Sequence, residues 1–142
     1  MTDIQFFYLE PVPSLRNRNT LKKYIADQAL LAGRPIDSLN IIFCSDEYLL
    51  SINKQFLQHD YYTDIITFDL TPSKKGPIQS EIYISIDRVR DNAHTHASSF
   101  NRELHRVIFH GLLHLLGYKD KSTKDEKIMR MMEDQFLSLY FG

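Results

Sequence analysis

His110-Gly111-Leu112-Leu113-His114-Leu115-Leu116-Gly117-Tyr118-Lys119-Asp120 is the stretch on which the reading of this 142-residue chain turns. Two histidines four positions apart project from one face of a helix, with Cβ atoms about 5–6 Å apart. Two imidazole nitrogens so placed reach one ion at about 2.0–2.1 Å each. Gly117, following His114 closely, ends such a helix in a left-handed conformation. The chain then reverses, and Asp120 swings back as a third ligand.

An isolated histidine pair of this spacing is more often structural than metal-bound, so the surroundings have to decide. Leu104, Val107, Ile108, Phe109, Leu112, Leu113, Leu115 and Leu116 make the helix apolar nearly all round, which predicts burial. A buried imidazole needs partners, and a metal satisfies two at once. Gly111 costs about 1 kcal/mol relative to alanine inside a helix, so the backbone is expected to pack closely there. The order of histidine, histidine, glycine and third ligand matches metzincin helices. Gly111, however, stands where a zincin protease carries its general-base glutamate. Without that carboxylate, peptide hydrolysis lacks its proton acceptor. The pattern is a zincin-like metal site with the protease base missing.

Working outward, Ile4–Leu9 reads as a strand ended by Pro11 and Pro13. Thr20–Leu31 has a helical apolar period stopped by Gly33 and Pro35. Leu39–Cys44 suits a buried strand. Ser45 caps a helix with Asp46 and Glu47 in its first turn and Tyr48, Leu49, Ile52 and Phe56 on one face. Asp64–Leu70 reads as a strand, Thr71–Pro77 as a loop, and Glu81–Ile86 as a strand with Ile82, Ile84 and Ile86 on one face. Asp87–Ala97 and Arg102–Leu116 read as helices, and Thr123 with Glu126 forms a capping box for a last helix through about Tyr140. The order predicts an α+β fold: one zincin-like domain over residues 1–142, with a small mixed four-stranded sheet packed by helices and the metal site on a buried helix.

Composition narrows the function classes. Hydrophobic residues make up 43% and charged residues 25%, ordinary globular usage that excludes intrinsic disorder. A net charge of −1 excludes a polycation that holds nucleic acid by bulk attraction. Local basic clusters remain at Arg16, Arg18, Lys22 and Lys23 and at Lys119, Lys121 and Lys124, read either as solvated faces or as phosphate contacts. The single cysteine, Cys44, excludes an internal disulfide and is expected to be a small core hydrophobe with no disulfide partner. No apolar run is long enough for a membrane span. The expectation is a cytoplasmic protein, monomeric, with no membrane partner.

Asn53–Phe68, NKQFLQHDYYTDIITF, together with Arg102-Glu103-Leu104 and HGLLHLLGY, resembles the YbeY family of bacterial rRNA maturation factors. The resemblance implies a single-strand-specific, metal-dependent endoribonuclease. It implies action on rRNA of the small ribosomal subunit, in 16S 3′-end maturation and ribosome quality control. It also implies one Zn²⁺ per chain, with Ni²⁺ or Mn²⁺ as alternatives. Two of the family's three zinc histidines carry over as His110 and His114. The third aligns with Asp120, and the aspartate before it with Lys119. A carboxylate with two histidines is an accepted zinc set. The family arginine aligns with Leu57, and its Gly-Asp pair with Ser80-Glu81. The rival readings are an assembly factor with a structural metal and a zincin-like peptidase.

The resemblance places Asp64 near the metal. It is expected either to orient a ligand histidine or accept a proton, or simply to cap its strand. Tyr61 and Tyr62 either stack unpaired bases or pack their loop; with Lys119 and Lys121 they are the candidate RNA contacts. Arg102 and Glu103 are expected to form a buried salt bridge. His59, His94, His96 and His105 are expected to be surface or hydrogen-bonded histidines, and Met129, Met131 and Met132 core residues.

Overall fold

The computed structural model describes residues 2–12 and 15–142; Pro13 lies outside the described residues. Four strands, β1 (Asp3–Tyr8), β2 (Ile36–Cys44), β3 (Ile65–Asp69) and β4 (Ile78–Ser85), form one sheet in the order β1-β2-β4-β3. β1, β2 and β4 run parallel, and β3 pairs antiparallel with β4 at the edge. The apolar content follows position. Central β2 and β4 bury Leu39, Ile41, Phe43, Ile78, Ile82 and Ile84, whereas edge strand β1 buries Ile4 and leaves Phe7 exposed.

Helices α1 (Arg18–Leu31), α4 (Phe100–Leu115) and α5 (Thr123–Phe141) contribute to the main core. α2 (Asp46–Leu57) closes a smaller cluster on Cys44, Leu49, Ile52 and Ile66. α3 (Ile86–Thr95) links β4 to α4. Ser45, Ser85, Ser99 and Ser122 each cap the following helix through the side-chain oxygen.

Several expectations are corrected here. Ile86 opens α3 instead of ending β4, because Ser85 accepts the Arg88 amide at 3.1 Å and starts the helix. Ser122, not Thr123, caps α5. On α2 the inward face is Leu49, Ile52 and Asn53, while Tyr48 and Phe56 are exposed. Met129 is buried and Met132 packs on the core, but Met131 is exposed.

α4 is the element that places the site. Leu104, Phe109 and Leu113 are fully buried, each burial contributing about 1.5–3 kcal/mol. At Gly111 the helix lies against the sheet: a Cβ there would sit 2.9 Å from Ile65 Cδ1 and 3.0 Å from Ile82 Cδ1. The expected close approach is therefore real, and only hydrogen fits without displacement. Arg34, from the α1–β2 connection, donates to the Leu115 carbonyl at the end of α4 and to Asp69 at the end of β3, the latter at 3.2 Å. No helix among the described residues is long and apolar enough to cross a membrane.

Candidate metal centre

Gly117 follows α4 with φ of +102°, and its amide returns to the His114 carbonyl at 3.0 Å. That reversal carries Asp120 back over the last turn of α4. The result is a triangle of potential ligand atoms. His110 Nε2 and His114 Nε2 are 3.1 Å apart, and Asp120 Oδ2 lies 3.2 Å from each. A tetrahedron with bonds of about 2.0–2.1 Å has edges of about 3.3–3.4 Å, so one ion fits this face with little movement. Among the described residues the cluster has three members and no fourth side-chain ligand. The donor set suits a divalent transition metal.

The triangle sits between two cavities. A groove of about 560 Å³ is lined by Asn53, Leu57, His59, Tyr61, Asp64 and Lys121, among others, with His110, His114 and Asp120 in its wall. A smaller, charged chamber of about 260 Å³ between α3, α4 and α5 contains Asp64, Glu103, Arg106 and Glu133. Asp64 borders both. Its carboxylate accepts from Asn92 Nδ2 at 3.1 Å and does not bond to either histidine. Burial pushes its carboxyl up, partly opposed by the charge of His110.

The carboxylate that meets the other ring nitrogen of His110 is Glu133, which sequence reasoning missed. Its Oε2 lies 2.6 Å from His110 Nδ1, and its Oε1 accepts from Arg106 at 3.0 Å. The signal was present: Glu133 shares the inner face of α5 with Met129, Phe136 and Leu137, an acid on an otherwise apolar stripe. Burial alone would lower the His110 pKa, but the hydrogen bond and charge of Glu133, with Asp64 and Asp120, raise it overall.

The candidate RNA contacts divide. Tyr61 and Lys121 line the groove, while Tyr62 and Lys119 do not. Tyr61 stacks on His59 with ring centres 5.1 Å apart, and Asn53 Nδ2 donates to the Tyr61 carbonyl at 2.9 Å. Tyr62 is engaged elsewhere, donating to Glu47 at 2.6 Å with Arg88 over its ring at 5.4 Å. Arg102 is exposed, and buried Glu103 meets His96 instead, at 3.4 Å. His59, His94 and His96 are exposed, and His105 is buried, its Nδ1 2.7 Å from the Asn101 carbonyl. Cys44 is buried beside the Ile84 carbonyl, its thiol pushed up to about 12 first of all by burial.

With this geometry established, similarity to known proteins is informative. The sequence profile of a family described as Endoribonuclease YbeY matches residues 12–140. The chain belongs to the YbeY family. An Endoribonuclease YbeY of Cytophaga hutchinsonii is 53% identical over 135 residues, covering 94% of each chain. One from Porphyromonas gingivalis is 46% identical over 133 residues, covering 92% of this chain and 86% of its own. The solution structure of TM1509 from Thermotoga maritima superposes with a TM-score of 0.61 at 26% identity, covering 98% of this chain and 89% of that one. The YbeY resemblance of the sequence motifs and the α+β sheet are thus both borne out, and endoribonuclease is the activity in the relatives' names.

Proposed function

We propose that this YbeY-family chain is a zinc-dependent endoribonuclease that cleaves single-stranded RNA, acting on the small ribosomal subunit in 16S 3′-end maturation and quality control in the cytoplasm. The observation that carries the reading is the triangle of His110 Nε2, His114 Nε2 and Asp120 Oδ2 in the wall of an open groove, in a chain whose relatives are named endoribonucleases. Bound there, a divalent metal supplies Lewis-acid stabilisation of a phosphoryl oxygen; Ni²⁺ and Mn²⁺ use the same donors.

The chain's own groups do the rest. His110, His114 and Asp120 hold the ion. Asp64, raised by burial and bordering the groove, is the proton acceptor. Tyr61 offers a half-exposed ring for a base, and Lys121 a cation for a phosphate. Leu57 lines the same groove without charge, so this chain works without a cation at that position.

The rival readings lack support. A structural metal favours a closed shell of four protein ligands, whereas three are present among the described residues. A peptidase needs a base where Gly111 packs on Ile65 and Ile82. Elemental analysis of protein purified without added metal, followed by RNA cleavage before and after chelation, tests the proposal. Stoichiometric zinc and chelator-sensitive cleavage are expected; cleavage indifferent to chelation overturns it.

A further inference from the structure

Glu133 is a carboxylate almost wholly out of water, 4% exposed, on a helix face it shares with Met129, Phe136 and Leu137. Taking such a group out of water costs several kcal/mol unless it is paired, and a hydrophobe of similar volume is often equally stable or more so. Packing alone therefore does not explain an acid on the inner face of α5. Its two oxygens are used separately: Oε1 accepts from Arg106 Nη1 at 3.0 Å, and Oε2 meets His110 Nδ1 at 2.6 Å. Arg106 is itself held by Asp134 at 2.6 Å. The carboxylate is thus fixed in rotation and faces the ring nitrogen that the ligand triangle does not use.

We infer that Glu133 is the positioning residue of this centre, holding His110 in the tautomer and ring orientation that present a bare Nε2 lone pair to the metal. The inference rests on the reading of His110, His114 and Asp120 as ligands. A carboxylate acceptor requires the imidazole proton on Nδ1, which leaves Nε2 free to coordinate. The negative charge also makes that nitrogen a stronger donor. Arg106 completes the device by occupying the other oxygen, which keeps Glu133 from turning into the site as a competing ligand. Asp64, the acid that sequence reasoning placed near this role, is bonded to Asn92 instead.

Zinc affinity decides the matter without reference to activity. Competition with a chromophoric chelator is measured for wild type, Glu133→Gln and Arg106→Gln, with the melting temperature of each metal-free protein recorded alongside. Glu133→Gln is expected to bind zinc about 10–100-fold more weakly. Arg106→Gln disturbs the same ion-pair network but leaves the contact to His110, so its loss is expected to be smaller. A purely structural Glu133 would lower both melting temperatures and leave both affinities alone, which overturns the inference. Nitrogen-15 NMR of the wild-type, metal-free protein at alkaline pH supplies an arm that needs no variant. A His110 proton on Nδ1 is expected, and one on Nε2 overturns the inference even if Glu133→Gln fails to fold. Wild-type protein that binds no zinc overturns the metal centre itself, an outcome distinct from a centre that binds zinc and ignores Glu133.

Discussion

The two ends of α4 carry histidines in opposite circumstances. Toward its start, His105 is buried against the rings of Tyr140 and Phe141, with one hydrogen bond to the Asn101 carbonyl. Burial lowers its pKa and the weaker effect of that bond does not restore it. Toward its end, His110 is also largely buried, yet Glu133, Asp64 and Asp120 hold its pKa above the ordinary value. The helix and the residue type are the same, and the difference lies in what the neighbouring elements bring. α5 offers aromatic rings to one end and a carboxylate to the other. A histidine on a buried helix becomes a ligand candidate only where acids converge on it.

The comparison is broken most directly at the proposed ligands. His114→Ala removes one corner of the triangle and is expected to abolish stoichiometric metal content and RNA cleavage, as read by elemental analysis and a cleavage assay. His105→Ala is expected to keep its metal. Metal retained by the first variant, or lost by a folded second one, would dissolve the distinction between the ends.

The aromatic surroundings sharpen it. Around His105 the rings of Phe109 and Tyr140 pack on each other and on the main core, with Phe141 43% exposed at the edge, whereas beside the His110–His114–Asp120 triangle Tyr61 is 55% exposed and lines the groove. Stacking on one base is worth about 1–3 kcal/mol in single-strand binding. Tyr61→Ala is therefore expected to weaken binding of a single-stranded oligonucleotide by about 5–150-fold, while Tyr62→Ala, outside the groove, has little effect. Equal losses would mean that the ring acts by packing its loop.

Gly111 directly follows His110 at the metal-site end, and here the expected effect is smaller. Alanine recovers about 1 kcal/mol of helix propensity but its methyl overlaps the δ-methyls of Ile65 and Ile82, an overpacking cost of about 1–3 kcal/mol. Gly111→Ala is expected to be destabilised by about 1 kcal/mol net and to melt about 2–5 °C lower. A rise in melting temperature would show that the isoleucines yield freely.

These contrasts also mark what was legible in the sequence. His110, His114 and Asp120 could be read because their contact depends on local geometry: one helical turn and one glycine reversal. Strands and helices followed from apolar period and capping residues. The misplacements fell at boundaries such as Ile86, where a serine cap overrode β-propensity, and on helix faces, where Tyr48, Phe56 and Met131 turn outward. Glu133 was not read, because its partner is 23 positions away and only the packing of α5 on α4 joins them. The expected Arg102–Glu103 pair failed for the related reason that neighbours on a helix point to different faces.

The smallest effect expected is on the pH dependence of stability in the metal-free protein, and the two ends should pull it in opposite directions. His110, raised in the folded state, contributes stability that is full below the unfolded value of about 6.5 and is lost as pH rises through the folded pKa. His105 is lowered. In the window below about 6.5 the unfolded chain binds a proton at this position that the folded chain excludes, so stability falls as pH falls. His105→Phe keeps a ring among Phe109, Tyr140 and Phe141 but cannot titrate. Its overall stability shifts through the lost hydrogen bond to Asn101, a bond worth about 0.5–1.5 kcal/mol, and that offset is independent of the slope. Urea unfolding at a series of pH values between about 5 and 7.5 is expected to show wild type losing more stability toward acid than His105→Phe. The difference between the two curves cancels the titration of His110 and the carboxylates they share. Parallel curves would mean that His105 is protonated as readily in the fold as in the open chain, and that the aromatic end of α4 admits water after all.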